Sequence, residues 1–147
     1  MCAVRLFRPN GNVHIEYYQK TASTVFALNE PVYLGTAGTL LAYTPGVAAP
    51  WIGLIKKTIA ATDSDYASTT RVPVEVGNYD TEYEIDATTT AAAQTDVGEY
   101  VDYVTATRSV NVGATAQNDF YVTGFISTTL VIGKFVRRAT SITTTVE

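Results

Sequence analysis

A single cysteine, a single histidine and only four lysines among 147 residues exclude much chemistry at the outset. Cys2 has no partner for an intramolecular disulfide, and Cys2 with His14 cannot fill a structural zinc site. One histidine inside an alternating segment leaves no base for a nucleophilic triad. No glycine-rich phosphate loop of either common kind is present. No run approaches the roughly 18 apolar residues of a membrane helix, and residues 1–8 lack the apolar stretch of a secretory signal. With a net charge of -4 the chain carries no general cationic field for nucleic acid. The expectation is a non-enzymatic protein of a reducing cytoplasm, without cofactor or metal, with neither nucleic acid nor membrane as partner.

What is abundant is β-forming. Thr (24), Val (17) and Ile (8) make up a third of the chain, and ten tyrosines add to them. Their stiff or bulky side chains suit a pleated surface and disfavour helix. Asn10-Gly11 between apolar runs signals a hairpin, because both residues tolerate positive φ. Val13 to Tyr18 then alternates, with Val13, Ile15 and Tyr17 on one face and His14, Glu16 and Tyr18 on the other, polar, face. Pro31 marks a strand start or an edge, and Pro73 argues for an edge strand, since neither can donate to a ladder. Trp51-Ile-Gly-Leu-Ile is unbroken in its apolar character, as a strand buried on both faces would be; Trp51 is core or interface.

Eight carboxylates lie between Arg71 and Arg108 without a Lys or Arg among them, while Arg5, Arg8, Lys134, Arg137 and Arg138 gather near the ends. An acidic edge and a basic edge could meet in copies of the same chain; solvated strand faces are the plainer reading. Asp80, Glu82, Glu84 and Asp86 share one face of an alternating segment, and Asp63-Ser-Asp-Tyr is a second oxygen-rich stretch. Neither has a calcium-loop spacing, and nothing beside the ladder would raise a carboxyl pKa for catalysis. Tyrosines, Tyr100 and Tyr103 foremost, are better candidates for an interface, where a large ring costs little entropy to hold.

The chain also writes a pattern twice. Glu30-Pro-Val-Tyr-Leu, Gly38-Thr-Leu-Leu-Ala-Tyr, Trp51-Ile-Gly-Leu-Ile and Arg71-Val-Pro-Val-Glu-Val form one copy; Glu99-Tyr-Val-Asp-Tyr, Arg108-Ser-Val-Asn-Val, Tyr121-Val-Thr-Gly-Phe-Ile and Leu130-Val-Ile-Gly-Lys-Phe-Val form the other. Aligning Glu30 with Glu99, or Gly53 with Gly124, gives nearly the same offset. The division expected is an N-terminal arm and first hairpin in 1–20, a β module in 21–78 and a second, with a C-terminal strand, in 79–147.

Glu30-Pro-Val-Tyr-Leu-Gly and Trp51-Ile-Gly-Leu-Ile, with Asp96-Val-Gly-Glu-Tyr-Val-Asp-Tyr, Asn118-Asp-Phe-Tyr-Val-Thr-Gly-Phe-Ile and Val131-Ile-Gly-Lys-Phe in the second copy, resemble the capsid decoration (cement, head-stabilising) proteins of tailed bacteriophages. The resemblance spans roughly residues 21–138 and rests on composition and position. It implies an all-β fold of small antiparallel β-barrel, β-tulip-like or sandwich modules, often trimeric. It also implies a virion protein on the outer capsid surface, made in the host cytoplasm, whose partners are the major capsid protein and itself. An extended N-terminal arm would add a strand to the capsid protein. Candidate partner-binding residues are accordingly Val4, Arg5, Leu6, Phe7 and Arg8 of the arm, with Trp51, Tyr100, Tyr103, Arg137 and Arg138. Deleting residues 1–8 is then expected to leave the fold intact. The alternative is a tail or baseplate component, or a carbohydrate-binding β module using Trp51 and the tyrosines as platforms.

Overall fold

The computed structural model describes residues 4–8, 13–46, 51–77 and 80–136, and among them the chain is all-β. Eleven strands run in order: β1 (Val4–Arg8), β2 (His14–Gln19), β3 (Pro31–Leu34), β4 (Leu40–Ala42), β5 (Trp51–Ile55), β6 (Arg71–Val76), β7 (Glu82–Asp86), β8 (Tyr100–Val104), β9 (Ser109–Asn111), β10 (Phe120–Ser127) and β11 (Leu130–Phe135). They form two antiparallel sheets, sandwich-like and not closed into a barrel. The five-stranded sheet has the order β2-β6-β5-β3-β4 and the six-stranded sheet β1-β7-β11-β10-β8-β9.

Apart from β1, the two orders are the same. β2 to β6 and β7 to β11 are five consecutive strands each, laid down as first, fifth, fourth, second, third. Hydrogen bonds repeat with the topology. Ile55 N–H donates to Glu30 C=O at 3.0 Å and Val122 N–H to Glu99 C=O at 3.0 Å. Gly77 donates to Ile52 at 3.1 Å, and Val136 to Asp119 at 2.9 Å. Each sheet's first and third strands touch through one parallel bridge, Lys20 with Leu40 and Ala87 with Val110. Beside each bridge a threonine N–H is donated to the bridging carbonyl, Thr21 to Leu40 at 3.2 Å and Thr88 to Val110 at 2.9 Å. The same threonines bond a hydroxyl opposite, Thr39 for Thr21 and Ser109 for Thr88. The repeat seen in the sequence is therefore a structural one, aligned on Glu30 and Glu99.

Gly53 and Gly124 are not equivalent. Gly53 faces Val32 and Val76, the register that Phe120, facing Val101 and Phe135, holds in the other half. A register shift between Val122 and Gly124 separates that glycine from the pattern. What demands glycine at 53 is close approach: a Cβ there would run into the Glu75 carbonyl.

Two other sequence expectations are corrected. β1 and β2 belong to different sheets and so do not pair as a hairpin; Asn10 and Gly11 themselves lie outside the described residues. β6 lies between β2 and β5 rather than at an edge. Pro73 is tolerated because the β5 ladder ends at the Ile55–Val74 pair; opposite Pro73 only the Lys56 N–H is bonded, to the Pro73 carbonyl at 2.9 Å.

Two cores form. The smaller belongs to the first sheet: Phe26, Val32, Leu40, Ile55, Ile59, Val72 and Val74. The larger fills the second sheet and draws in Tyr43, Trp51 and Leu54 from the first half, which fastens the halves together. At its centre Phe135 meets five rings: Trp51 stacked at 5.0 Å, and Phe120, Tyr83, Tyr103 and Tyr43 edge-on at 5.2 to 6.0 Å.

Candidate functional site

Paired along its length with β7, β1 is an edge strand of the six-stranded sheet and part of the fold. Its register on β7 pairs Val4 with Ile85, Arg5 with Glu84, Leu6 with Tyr83 and Arg8 with Glu82. Alternation sends Val4 into the larger core, where it is buried, and packs Leu6 against it. Arg5 reaches Glu84 at 3.3 Å on the outer face, an exposed pair worth at most about 1 kcal/mol. Phe7 is exposed. Of the expected arm residues, then, Val4 and Leu6 are occupied by the core, whereas Arg5 and Phe7 lie on the surface. As an edge strand bonded to β7 on one side, β1 offers only its other side to a strand of a partner.

The aromatic candidates divide in the same way. Trp51 and Tyr103 are buried in the ring cluster around Phe135, so neither meets a partner or a sugar. Burial pushes the Tyr103 and Tyr83 phenols well above their ordinary range, with Glu30 and Glu75 respectively adding to it. Tyr100 is exposed and leans on Tyr121 at 4.8 Å, a two-ring platform on the surface. Arg137 and Arg138 lie outside the described residues.

The carboxylates hold loops. Asp102 accepts the N–H groups of Ala116, Gln117 and Asn118 at 2.7 to 3.1 Å, closing the turn before β10. Asp63 accepts from Ala60 and Asp96 from Ala93. Buried Asp119 accepts the Tyr43 hydroxyl at 3.0 Å and the Tyr103 N–H at 3.3 Å, which ties the two halves. Asp65 of the second oxygen-rich stretch pairs with Lys57 at 2.8 Å, and that ammonium holds its carboxyl below the usual range. Among the described residues no three His, Cys, Asp or Glu side chains converge to hold a cation.

β2 is an edge strand of the first sheet, exposed from His14 to Tyr17 and half-buried only at Tyr18. Its pairing with β6 sets Tyr18 opposite Val72, Glu16 opposite Val74 and His14 opposite Val76. The face holding His14, Glu16 and Tyr18 is thus the one that continues the buried valines, and Tyr18 packs on the smaller core. Ahead of Tyr18 both faces are exposed: Val13 is 54%, Ile15 42% and Tyr17 60% exposed on one, and the side chains of His14 and Glu16 are 62% and 48% exposed on the other. On the face shared with Tyr18, Glu16 accepts the Tyr18 hydroxyl at 2.6 Å and meets His14 Nε2 at 2.9 Å. The Tyr18 phenol is pushed up to about 12 by that bond, and the Glu16 carboxyl is held down first by Tyr18 and then by His14.

No protein-family model matches the chain, and no curated protein is significantly similar to it.

Proposed function

We propose that the chain is a structural virion protein that binds the outside of an assembled phage capsid and bridges neighbouring capsomers. The resemblance of its two copies to decoration proteins supports this reading. The observation that carries it here is the arrangement of two like β modules fastened through the larger of two cores, with open sheet edges and exposed apolar side chains at Phe7, Val13, Ile15, Tyr17 and Tyr100. A rigid body with an outer edge on each module can engage two neighbours at once, and many weak contacts on a lattice sum to firm attachment. Binding the lattice and not its separated parts stabilises the head by mass action. Self-association, as a trimer in the resemblance, belongs to the same proposal.

The test adds purified protein to expanded capsids of the phage whose gene neighbours its own, with binding read by electron microscopy. Stoichiometric decoration and a raised capsid melting temperature are the expected outcome; bare capsids reject it. The carbohydrate reading keeps one observation, the Tyr100–Tyr121 platform, and loses Trp51 to the core. Glycan-array binding abolished by Tyr100→Ala, with bare capsids, would replace the first reading by the second.

A further inference from the structure

The internal repeat supplies a template for what covers β2. Tyr18 faces Val72 on β6 as Ile85 faces Val131 on β11, so β2 stands in the first half where β7 stands in the second. On the far side of β7 lies β1; among the described residues no strand lies on the far side of β2. One sheet carries a sixth strand, and the equivalent position of the other is open.

The missing strand cannot be chemically like β1. By the same equivalence Glu84 and Glu82, which face Arg5 and Arg8 in register, correspond to Tyr17 and Ile15. A basic strand suits β7; β2 requires apolar side chains at those positions. Its backbone is available as well. Lys20 N–H points to the β6 side, toward Thr70, and Thr21 N–H to the other, toward Leu40. Alternation along a strand therefore aims the N–H and C=O groups of Ile15 and Tyr17 outward. Leu40 occupies the edge from Lys20 onward, so the open length is residues 13–18.

We propose that this edge is filled by β2 of a second copy of the chain, running antiparallel about a two-fold axis at Ile15. That register is self-complementary: Ile15 meets Ile15, Val13 meets Tyr17 on both sides, and His14 meets Glu16. A two-fold axis at Glu16 would instead set one carboxylate against another, and directly opposed like charges destabilise a strand pair. Apolar side chains on an unpaired edge otherwise invite indiscriminate pairing, which native sheets avoid by charge or cover. The contact is isologous, so it closes at two copies and does not by itself build a trimer.

Sedimentation velocity of the full chain over a concentration series tests this independently of any capsid. A monomer–dimer equilibrium is expected, weakened about tenfold or more by Ile15→Lys, which places two ammonium groups together on the axis. Leu28→Lys, at an exposed apolar residue away from β2, should leave it unchanged. Hydrogen exchange gives a second readout: the Ile15 and Tyr17 amides should gain protection as concentration rises, while the Val74 amide stays as it is. A monomer at every concentration overturns the proposal, as does self-association that Ile15→Lys leaves intact. Protection of those amides only when capsids are added overturns it too, and assigns the edge to the capsid protein.

Discussion

Asn29 and Gly98 occupy the same place in the two halves of the molecule. Each has a left-handed backbone, φ 61° and 95°, and each donates its N–H at 2.8 Å to the equivalent carbonyl, Ile55 for Asn29 and Val122 for Gly98. Only the residue type differs. Asparagine tolerates that conformation better than other side chains, and glycine adopts it freely. Gly98→Ala should therefore cost about 1 kcal/mol, although nothing lies within 4 Å of the added methyl. Asn29→Gly should be close to neutral in backbone terms, losing only the 2.6 Å bond from Lys56 Nζ. Urea unfolding of the two variants checks the contrast.

Phe135 is the residue on which the two halves converge. Phe135→Ala should cost about 3–5 kcal/mol, because it removes ring contacts from both halves and leaves a cavity that neither sheet can collapse into. Trp51, the only tryptophan, stacks on that ring. Its fluorescence should shift to the red in a single step on unfolding of the wild type, and be red-shifted before unfolding in the variant.

Lys20 is fully buried, and its ammonium donates to the carbonyls of Tyr66 and Ser68 at 2.9 and 2.5 Å. Lys20→Met keeps the stem and removes both donors, leaving two carbonyls to find water. The expected loss is about 2–4 kcal/mol, from charge-assisted bonds of roughly 1.5–3 kcal/mol each with partial rehydration. Thermal unfolding would show it; a loss below the effect of an ordinary surface substitution would contradict the assignment.

Burial holds the Glu30 carboxyl above its ordinary range, against the opposing pull of the Ala27 N–H and Arg108. The folded state therefore keeps this proton to higher pH than the unfolded state does. The stability Glu30 contributes is whole below the unfolded pKa and declines as pH rises through the folded one. Glu30→Gln retains an acceptor for Ala27 and has no proton to lose. Its stability relative to wild type should rise as pH climbs above the ordinary glutamate range, from about pH 4 upward, measured as the difference of two urea titrations.

Removal of residues 1–8 should lower the melting temperature, contrary to what a dispensable arm would do. It takes Val4 out of the larger core and strips the cover from Tyr83 and Ile85. Val4→Ala alone should cost about 1–3 kcal/mol, scaled from buried aliphatic truncations, while Arg5→Ala should change stability by less than about 1 kcal/mol.

The candidate binding residues were less legible in the sequence than the fold. Glu30 and Glu99 aligned correctly because each opens the strand that must pair with β5 or β10, so its backbone carbonyl has the same duty in both halves. Gly53 and Gly124 misaligned because glycine serves close approach in one strand and lies beyond a register shift in the other. By type Trp51 suited a core or an interface and Tyr103 an interface, because large rings serve both by the same physics. Arg5 and Phe7 kept their exposure because alternation in β1 assigns them the opposite face from Val4 and Leu6.

Composition and periodicity alone determined that the chain is β throughout, that it is written twice, and which residues share a face in each strand. β-branched side chains and a period of two act within a few residues of one another, so they can be read locally. The tertiary structure decided which face is covered. Alternation groups Ile15 with Tyr17 and Glu16 with Tyr18, yet the valines that draw Tyr18 onto the core, Val72 and Val74, lie more than fifty residues away. Strand alternation defines two faces, and only the neighbouring strands and the layer packed against them make one of those faces the inside.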